Sequence, residues 1–288
     1  MTESNLDVLK QDYQKIVVDE PLPGVCRITL NRPDKRNPLS NELRGELFAA
    51  LELVDADEHF RVSIIRGAGS CFSAGYDLQS DVSQDQPFYT AGGLGNWPRH
   101  VVDGFFRIWD LAKPVIAQVH GYCLAGGTEL ATACDLVYVA DDAMIGYPVV
   151  RAISPPDNQF YPWIVGLRRS MEMMLTGDHM SGSDAVACGF ANRAFPASEL
   201  DSQVLQMAER VARVPSDLQQ INKRAVHRQM DAMGVRAGIR AGTEMQQLAM
   251  FTQSTQAHLA DMRQGLTQAL SKRDAEFGDY REQTDKSD

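Results

Sequence analysis

Phe72-Ser73-Ala74-Gly75-Tyr76-Asp77-Leu78 and, about fifty residues later, Gly121-Tyr122-Cys123-Leu124-Ala125-Gly126-Gly127-Thr128-Glu129-Leu130 repeat one local pattern. Each follows a short apolar run, Val62–Ile65 and Val115–Val119, that reads as a buried strand. Each then sets small residues where one stretch of backbone must come close to another. The second stretch also opens a helix near Gly127, and the first amides of a helix are unpaired and carry partial positive charge. Amides so placed suit an oxygen that gains negative charge. Tight strand–helix packing accounts for the same glycines.

The flanking chain extends this strand–helix alternation. Residues 14–19 (QKIVVD) and 24–30 (GVCRITL) predict two antiparallel strands around Pro-Leu-Pro-Gly. Ser40 offers an N-cap to a helix over Asn41–Asp55, whose Leu43, Leu47, Leu51 and Val54 form one apolar stripe. Residues 79–98 lack periodicity and read as a long loop. Val101–Leu111 predicts a helix ending at Lys113-Pro114, and Leu136–Ala140 a further strand. This alternation indicates an α/β fold with repeated crossover units. Beyond about residue 156 the strand signal fades. Helical stretches follow at about 158–175, 183–188, 197–213, 216–230, 233–252 and 256–273, and the charged tail EFGDYREQTDKSD reads as frayed. The chain divides into a sheet-containing core, 1–195, and a helical region, 196–288.

Bulk composition excludes several classes. With 38 acidic against 28 basic residues in 288, the formal charge is −10, which argues against a nucleic-acid surface. No apolar run approaches the ~20 residues of a membrane span. The polar, acidic start MTESNLDVLKQDYQ resembles no targeting segment, so a cytoplasmic location is expected. Cys26, Cys71, Cys123, Cys134 and Cys188 are scattered, without a C-x-x-C pair, and read as reduced thiols; no metal site is indicated. Gly67-Ala68-Gly69 lacks the third glycine of a dinucleotide fingerprint, and no phosphate loop or Gly-x-Ser-x-Gly elbow occurs.

Taken together, the paired glycine segments resemble the two signatures of the crotonase (enoyl-CoA hydratase/isomerase) superfamily. Asn31-Arg32-Pro33-Asp34-Lys35-Arg36-Asn37-Pro38-Leu39-Ser40, Lys113-Pro114-Val115-Ile116-Ala117, Cys134-Asp135-Leu136 and the stretch from Gly265 through Lys272-Arg273 to Phe277 extend the likeness over about residues 14–277. The resemblance implies a crotonase-like spiral of ββα units with a helical C-terminal extension that covers the site and builds a homotrimer or dimer of trimers. It implies an acyl-CoA substrate, with coenzyme A as part of the substrate and no covalently bound cofactor. Tyr76 and Gly126 are expected to give the oxyanion-hole amides and Glu129 the first acid/base. Ala74, Asp77 and Leu78 are expected around the adenine, and Lys35, Arg36 and Lys272 near the phosphates.

One departure stands out. Where hydratases carry a second glutamate after Gly-x-Pro, Gly146-Tyr147-Pro148 is followed by Val149, which moves no proton. Asp157 is the replacement candidate, although Pro155-Pro156-Asp157 also reads as a helix N-cap. Tyr147 is a possible phenol in the pocket, His100 an outside base, and His120 a structural histidine. Phe160, Tyr161 and Trp163 are candidates for shaping an acyl pocket for a bulky group. Hydration or dehydration of an unsaturated acyl-CoA is the first expectation. A CoA-free hydrolase of β-diketones and a non-catalytic acyl-CoA-binding subunit are the alternatives.

Overall fold

The computed structural model describes residues 6–79 and 86–280. Part of the long loop (80–85) and of the charged tail (281–288) therefore lie outside the described residues. The strands are β1 (Ile16–Leu22), β2 (Val25–Leu30), β3 (Val62–Gly67), β4 (Val115–Val119), β5 (Tyr122–Leu124), β6 (Leu136–Ala140), β7 (Met144–Gly146) and β8 (Arg193–Phe195). Six of them form one sheet in the order β1-β2-β3-β4-β6-β8, while β5 and β7 make a small pair of their own. β1 and β2 are antiparallel with Ile16 opposite Leu30; every other pairing is parallel. Parallel strands are covered on both faces, which is why β4 (VIAQV) is buried at every position.

Between β2 and β3 runs the helix Asn41–Ala56, whose first turn is capped by the Ser40 hydroxyl accepting from the Leu43 amide at 3.3 Å. Its Leu43, Leu47, Leu51 and Val54 are buried, as the stripe predicts, and each contributes about 1.5–3 kcal/mol by leaving water. The helix Asn96–Trp109 begins five residues before the expected Val101 and absorbs the end of the supposed loop. Strands β5, β7 and β8 are three residues each, too short to show a period, and sequence reading missed them. The stretch 158–175 is two helices, Tyr161–Ile164 and Gly166–Thr176, separated at Val165. The stretch 256–273 is also two, Gln253–Gln264 and Leu266–Ala275, broken at Gly265.

Among the described residues all elements after Phe195 are helices, and Leu200–Ala212 packs against β3, β4 and β6. No described helix is long and apolar enough to cross a membrane. The step that positions the site occurs where the chain leaves β4 of the main sheet for β5 of the small one. Gly121 turns there with φ +55°, and a Cβ on it would overlap the Ser70 carbonyl oxygen. Only glycine fits.

Candidate active site

The loop after β3 is fixed to the strand β5 by main-chain hydrogen bonds. Phe72 N–H donates to His120 O at 2.8 Å, Ser73 N–H to Tyr122 O at 3.0 Å, and Leu124 N–H returns to Ser73 O at 3.0 Å. The Asn31–Ser40 segment braces the same loop from behind. Asn37 Nδ2 donates to the carbonyls of Ala68 and Cys71, and Ser73 Oγ donates to Asn37 O. Leu39 N–H donates to Gly75 O, and Asp77 N–H to Leu39 O. That bridge uses the groups on either side of Tyr76 and leaves the Tyr76 N–H itself pointing away from Leu39.

At Gly75 the loop presses on the start of the helix Gly126–Ala133. A Cβ on Gly75 would lie 2.9 Å from Ala125 Cβ and 3.3 Å from Gly126 N; one on Gly126 would lie 2.7 Å from the Tyr76 ring. Ala125 adopts φ 50°, ψ −122°, a conformation that L residues rarely take. This turn lets its carbonyl accept from Thr128 and Glu129. Gly126 is the first residue of the helix, so its amide has no acceptor within the helix. Among the described residues, neither the Tyr76 nor the Gly126 N–H donates to a protein acceptor.

Glu129, one turn into that helix, is 2 % exposed. Its Oε2 accepts from Tyr76 OH at 2.8 Å, and its Oε1 from Tyr147 OH at 3.1 Å and the Asp157 amide at 2.9 Å. Asn158 Nδ2 stands 3.5 Å from Oε2. Burial drives the Glu129 carboxyl up to about 7, against these hydrogen bonds, which favour the carboxylate. Asp157 is also buried; burial first, and the Glu129 charge second, push it well above the usual carboxylate range, while the Trp97 indole pulls the other way. Among the described residues its Oδ1 has no hydrogen-bond partner. Nor is Asp157 an N-cap: the next helix starts at Tyr161 and has no side-chain cap. Two buried carboxyls, both raised above the ordinary carboxylate range, are the equipment of general acid–base chemistry.

Tyr76 stands between two cavities. An outer cleft of about 410 Å³ runs from the Ala74–Leu78 loop past Ala125, Tyr147, Val149 and Asp157 to the C-terminal helices. A small, mostly apolar inner cavity of about 40 Å³ lies beyond Gly126 and Glu129, walled by Leu47, Phe105 and Ile108.

The enoyl-CoA hydratase/isomerase family profile matches residues 21–281. The chain belongs to this family. Within it, the chain is 36% identical over 243 residues to a Mycobacterium tuberculosis protein assigned to the enoyl-CoA hydratases, covering 78% of this chain and 76% of that one. It is 29% identical over 256 residues to the mitochondrial enoyl-CoA hydratase of Pongo abelii, covering 88% and 83%. An enoyl-CoA hydratase/isomerase structure from Xanthobacter autotrophicus Py2 superposes with a TM-score of 0.83 at 33% identity, over 92% of this chain and 99% of that one. The enoyl-CoA hydratase structure from Mycobacterium smegmatis gives 0.83 at 29%, over 93% and 97%. The fold is therefore the crotonase one, as the resemblance implied.

Against this enoyl-CoA hydratase/isomerase frame, the expected site residues separate into two groups. Arg36, Ala74, Asp77, Leu78 and Tyr76 border the outer cleft, as do Tyr147, Val149 and Asp157. Lys35 and Lys272 are not among its lining residues: Lys35 is exposed, and Lys272 Nζ is engaged by Asp261 at 2.7 Å on the surface. The neighbouring Arg273 faces the cleft instead, held by Asp274. Asp77 is also engaged, its carboxylate accepting from Arg32 at 2.7 Å. His100 stacks on Phe88 and shares a hydrogen bond with Thr90, and burial lowers it to about 4; it borders neither cavity. His120 Nε2 is 2.9 Å from Gly69 O, a loop tie. Phe160 stacks behind Phe105, Tyr161 OH donates to Thr128, and Trp163 packs near Gly238; none of the three lines either of these two cavities. Sequence reading missed Trp97, which lay in a stretch taken for loop, and Arg44. A charged residue inside the apolar stripe, between Leu43 and Leu47, was the available signal for Arg44.

Proposed function

We propose that the protein hydrates, or in reverse dehydrates, an unsaturated acyl-CoA. The observation that carries this reading is the packing of Gly75 and the Tyr76 ring on the start of the Gly126 helix, with the Tyr76 and Gly126 amides given no protein acceptor among the described residues, beside the buried Glu129–Asp157 pair. In this reading the thioester oxygen accepts from both amides, and the enolate that forms when water adds at the β-carbon is stabilised there. Removing one such donor typically costs about 3 kcal/mol of barrier. The Glu129 carboxylate takes a proton from the attacking water. Asp157, kept protonated by burial, gives a proton to the α-carbon. Asp157 thereby replaces the second glutamate whose position is Val149. The phenols of Tyr76 and Tyr147 hold the Glu129 carboxylate in place for this step.

The outer cleft accommodates coenzyme A in the same reading, with the Ala74–Leu78 loop at the adenine and Arg36 near the phosphates. Long-handle binding of this kind orients the reacting end independently of proton transfer. Exposed apolar side chains at Leu218, Ile221 and Val226 support a homotrimer or dimer of trimers, with residues 196–288 as the assembling and covering region.

The test is loss of enoyl absorbance with crotonyl-CoA and bulkier enoyl-CoAs, with Glu129→Gln alongside. Turnover that falls by a factor of about 10² or more in the variant supports the assignment; unchanged turnover removes Glu129 from the mechanism. Calorimetry with CoA separates the rivals: no binding favours the β-diketone hydrolase, and binding without any turnover favours a non-catalytic subunit.

A further inference from the structure

Arg44 projects from the helix Asn41–Ala56 into the wall of the inner cavity and is 4% exposed. Aromatic rings surround it, with its guanidinium carbon 5.2 Å from the Trp97 centroid, 5.8 Å from Tyr76 and 6.0 Å from Phe48. Its hydrogen bonds go to two neutral amide oxygens at the limit of useful distance, Asn41 Oδ1 at 3.4 Å and Gln86 Oε1 at 3.5 Å. Glu129 and Asp157 attract it, yet among the described residues no carboxylate forms an ion pair with it. Rings and two long amide contacts are weak substitutes for the water a buried cation loses. The contrast is Arg151, equally buried, which is met by Asp178, Asp274 and Asp279.

The rest of the inner wall is mostly apolar, including Leu47, Val101 and Ile108, with Tyr76, Glu129 and Asn158 as its other polar members. A plain hydrocarbon tail filling that space would strip the guanidinium further and give it nothing. A carboxylate would give it a two-pronged, charge-matched acceptor. Building on the acyl-CoA reading above, we infer that the inner cavity takes a short acyl chain carrying a second carboxylate, with Arg44 as its partner. Arg44 is then the residue that sets substrate specificity, not one that moves protons.

Two saturated thioesters that cannot react provide the test. Titration calorimetry on the full chain compares glutaryl-CoA with pentanoyl-CoA, which share chain length and differ in the terminal carboxylate. Glutaryl-CoA is expected to bind about 10- to 100-fold tighter. Arg44→Met brings that ratio close to one, and Arg44→Lys retains part of it. Equal affinities in the wild type, or tighter pentanoyl-CoA, overturn the inference alone. So does a ratio that survives in Arg44→Met: a guanidinium that only balanced Glu129 and Asp157 would affect both ligands alike. Failure of both thioesters and of free CoA to bind removes the acyl-CoA reading, and this one with it. If Arg44→Met does not fold, the wild-type comparison still decides.

Discussion

Glu129 and Asp157 share a pocket too dry for two charges, so they titrate as a pair. In the proposed mechanism the working form holds one proton, with Glu129 ionised and Asp157 protonated. In that mechanism kcat/KM rises through about pH 7 as Glu129 loses its proton, and falls once Asp157, raised above the ordinary carboxylate range, loses its own. Stopped-flow or steady-state rates across that range check the bell shape. Tyr76→Phe keeps the backbone amide but removes one hydrogen bond from the Glu129 carboxylate, so the rising limb should move to higher pH. Stability gives the sign from a second direction. A carboxyl whose folded pKa is raised costs nothing below its unfolded pKa, near 3.9 for Asp, and the cost grows as pH rises towards the folded value. Asp157→Asn should therefore raise the melting temperature more at pH 8 than at pH 5, while turnover falls. A gain that is larger at pH 5 would contradict the burial account of Asp157.

Elements hold these side chains through a few close contacts, and two substitutions separate cap from contact. Ser40→Ala removes the cap of Asn41–Ala56 and should cost about 1 kcal/mol with little effect on rate. Gly126→Ala pushes a methyl into the Tyr76 ring and should cost about 1–3 kcal/mol together with a large loss of kcat. Denaturant melts and rates on the same samples distinguish them. The same elements explain what could be read in advance. Val115–Val119, the Asn41 helix and the Gly126 turn each announce themselves within a dozen residues, through unbroken burial, a stripe and a glycine pair. Strands β5 and β7 have no local signature, because three residues acquire strand geometry only by pairing with each other. The bond from Tyr147 to Glu129 spans eighteen positions, and that from Tyr76 to Glu129 spans 53. No periodicity encodes contacts of that range; the family resemblance supplied Tyr76, Gly126 and Glu129, and only folding revealed how Tyr147 and Trp97 join them. Lys272, expected near the phosphates, is one residue from Arg273, which borders the cleft. On a helix, that step turns a side chain by about 100°, from the cleft, where Arg273 sits, to the surface.

Across the whole molecule, the outer cleft is assembled from distant parts of the chain: the loop near Ala74, the stretch Tyr147–Ile153, and the late residues Leu270, Arg273 and Tyr280. Arg151 holds the late wall, donating to both oxygens of Asp279 at 2.7 Å and to Asp274 at 3.3 Å, with its guanidinium carbon 3.8 Å from the centre of the Phe277 ring. Arg151→Met leaves the buried Asp274 with Arg273 as its remaining basic partner and should cost about 3 kcal/mol. Thermal scans and tryptic cleavage near Arg273 measure that loss. The Tyr122 hydroxyl donates to the Tyr280 carbonyl, and the Tyr280 hydroxyl to Gly177. The far end of the described chain is thus stitched to two separate parts of the body. Tyr122 and Tyr280 both line the cleft, so a guest touching both sides of that seam would tighten it, since what binds only the closed arrangement favours it by mass action. A fluorophore attached beside Phe277 would then register occupancy by a silent ligand, turning the rear of the protein into a gauge of how full its front is.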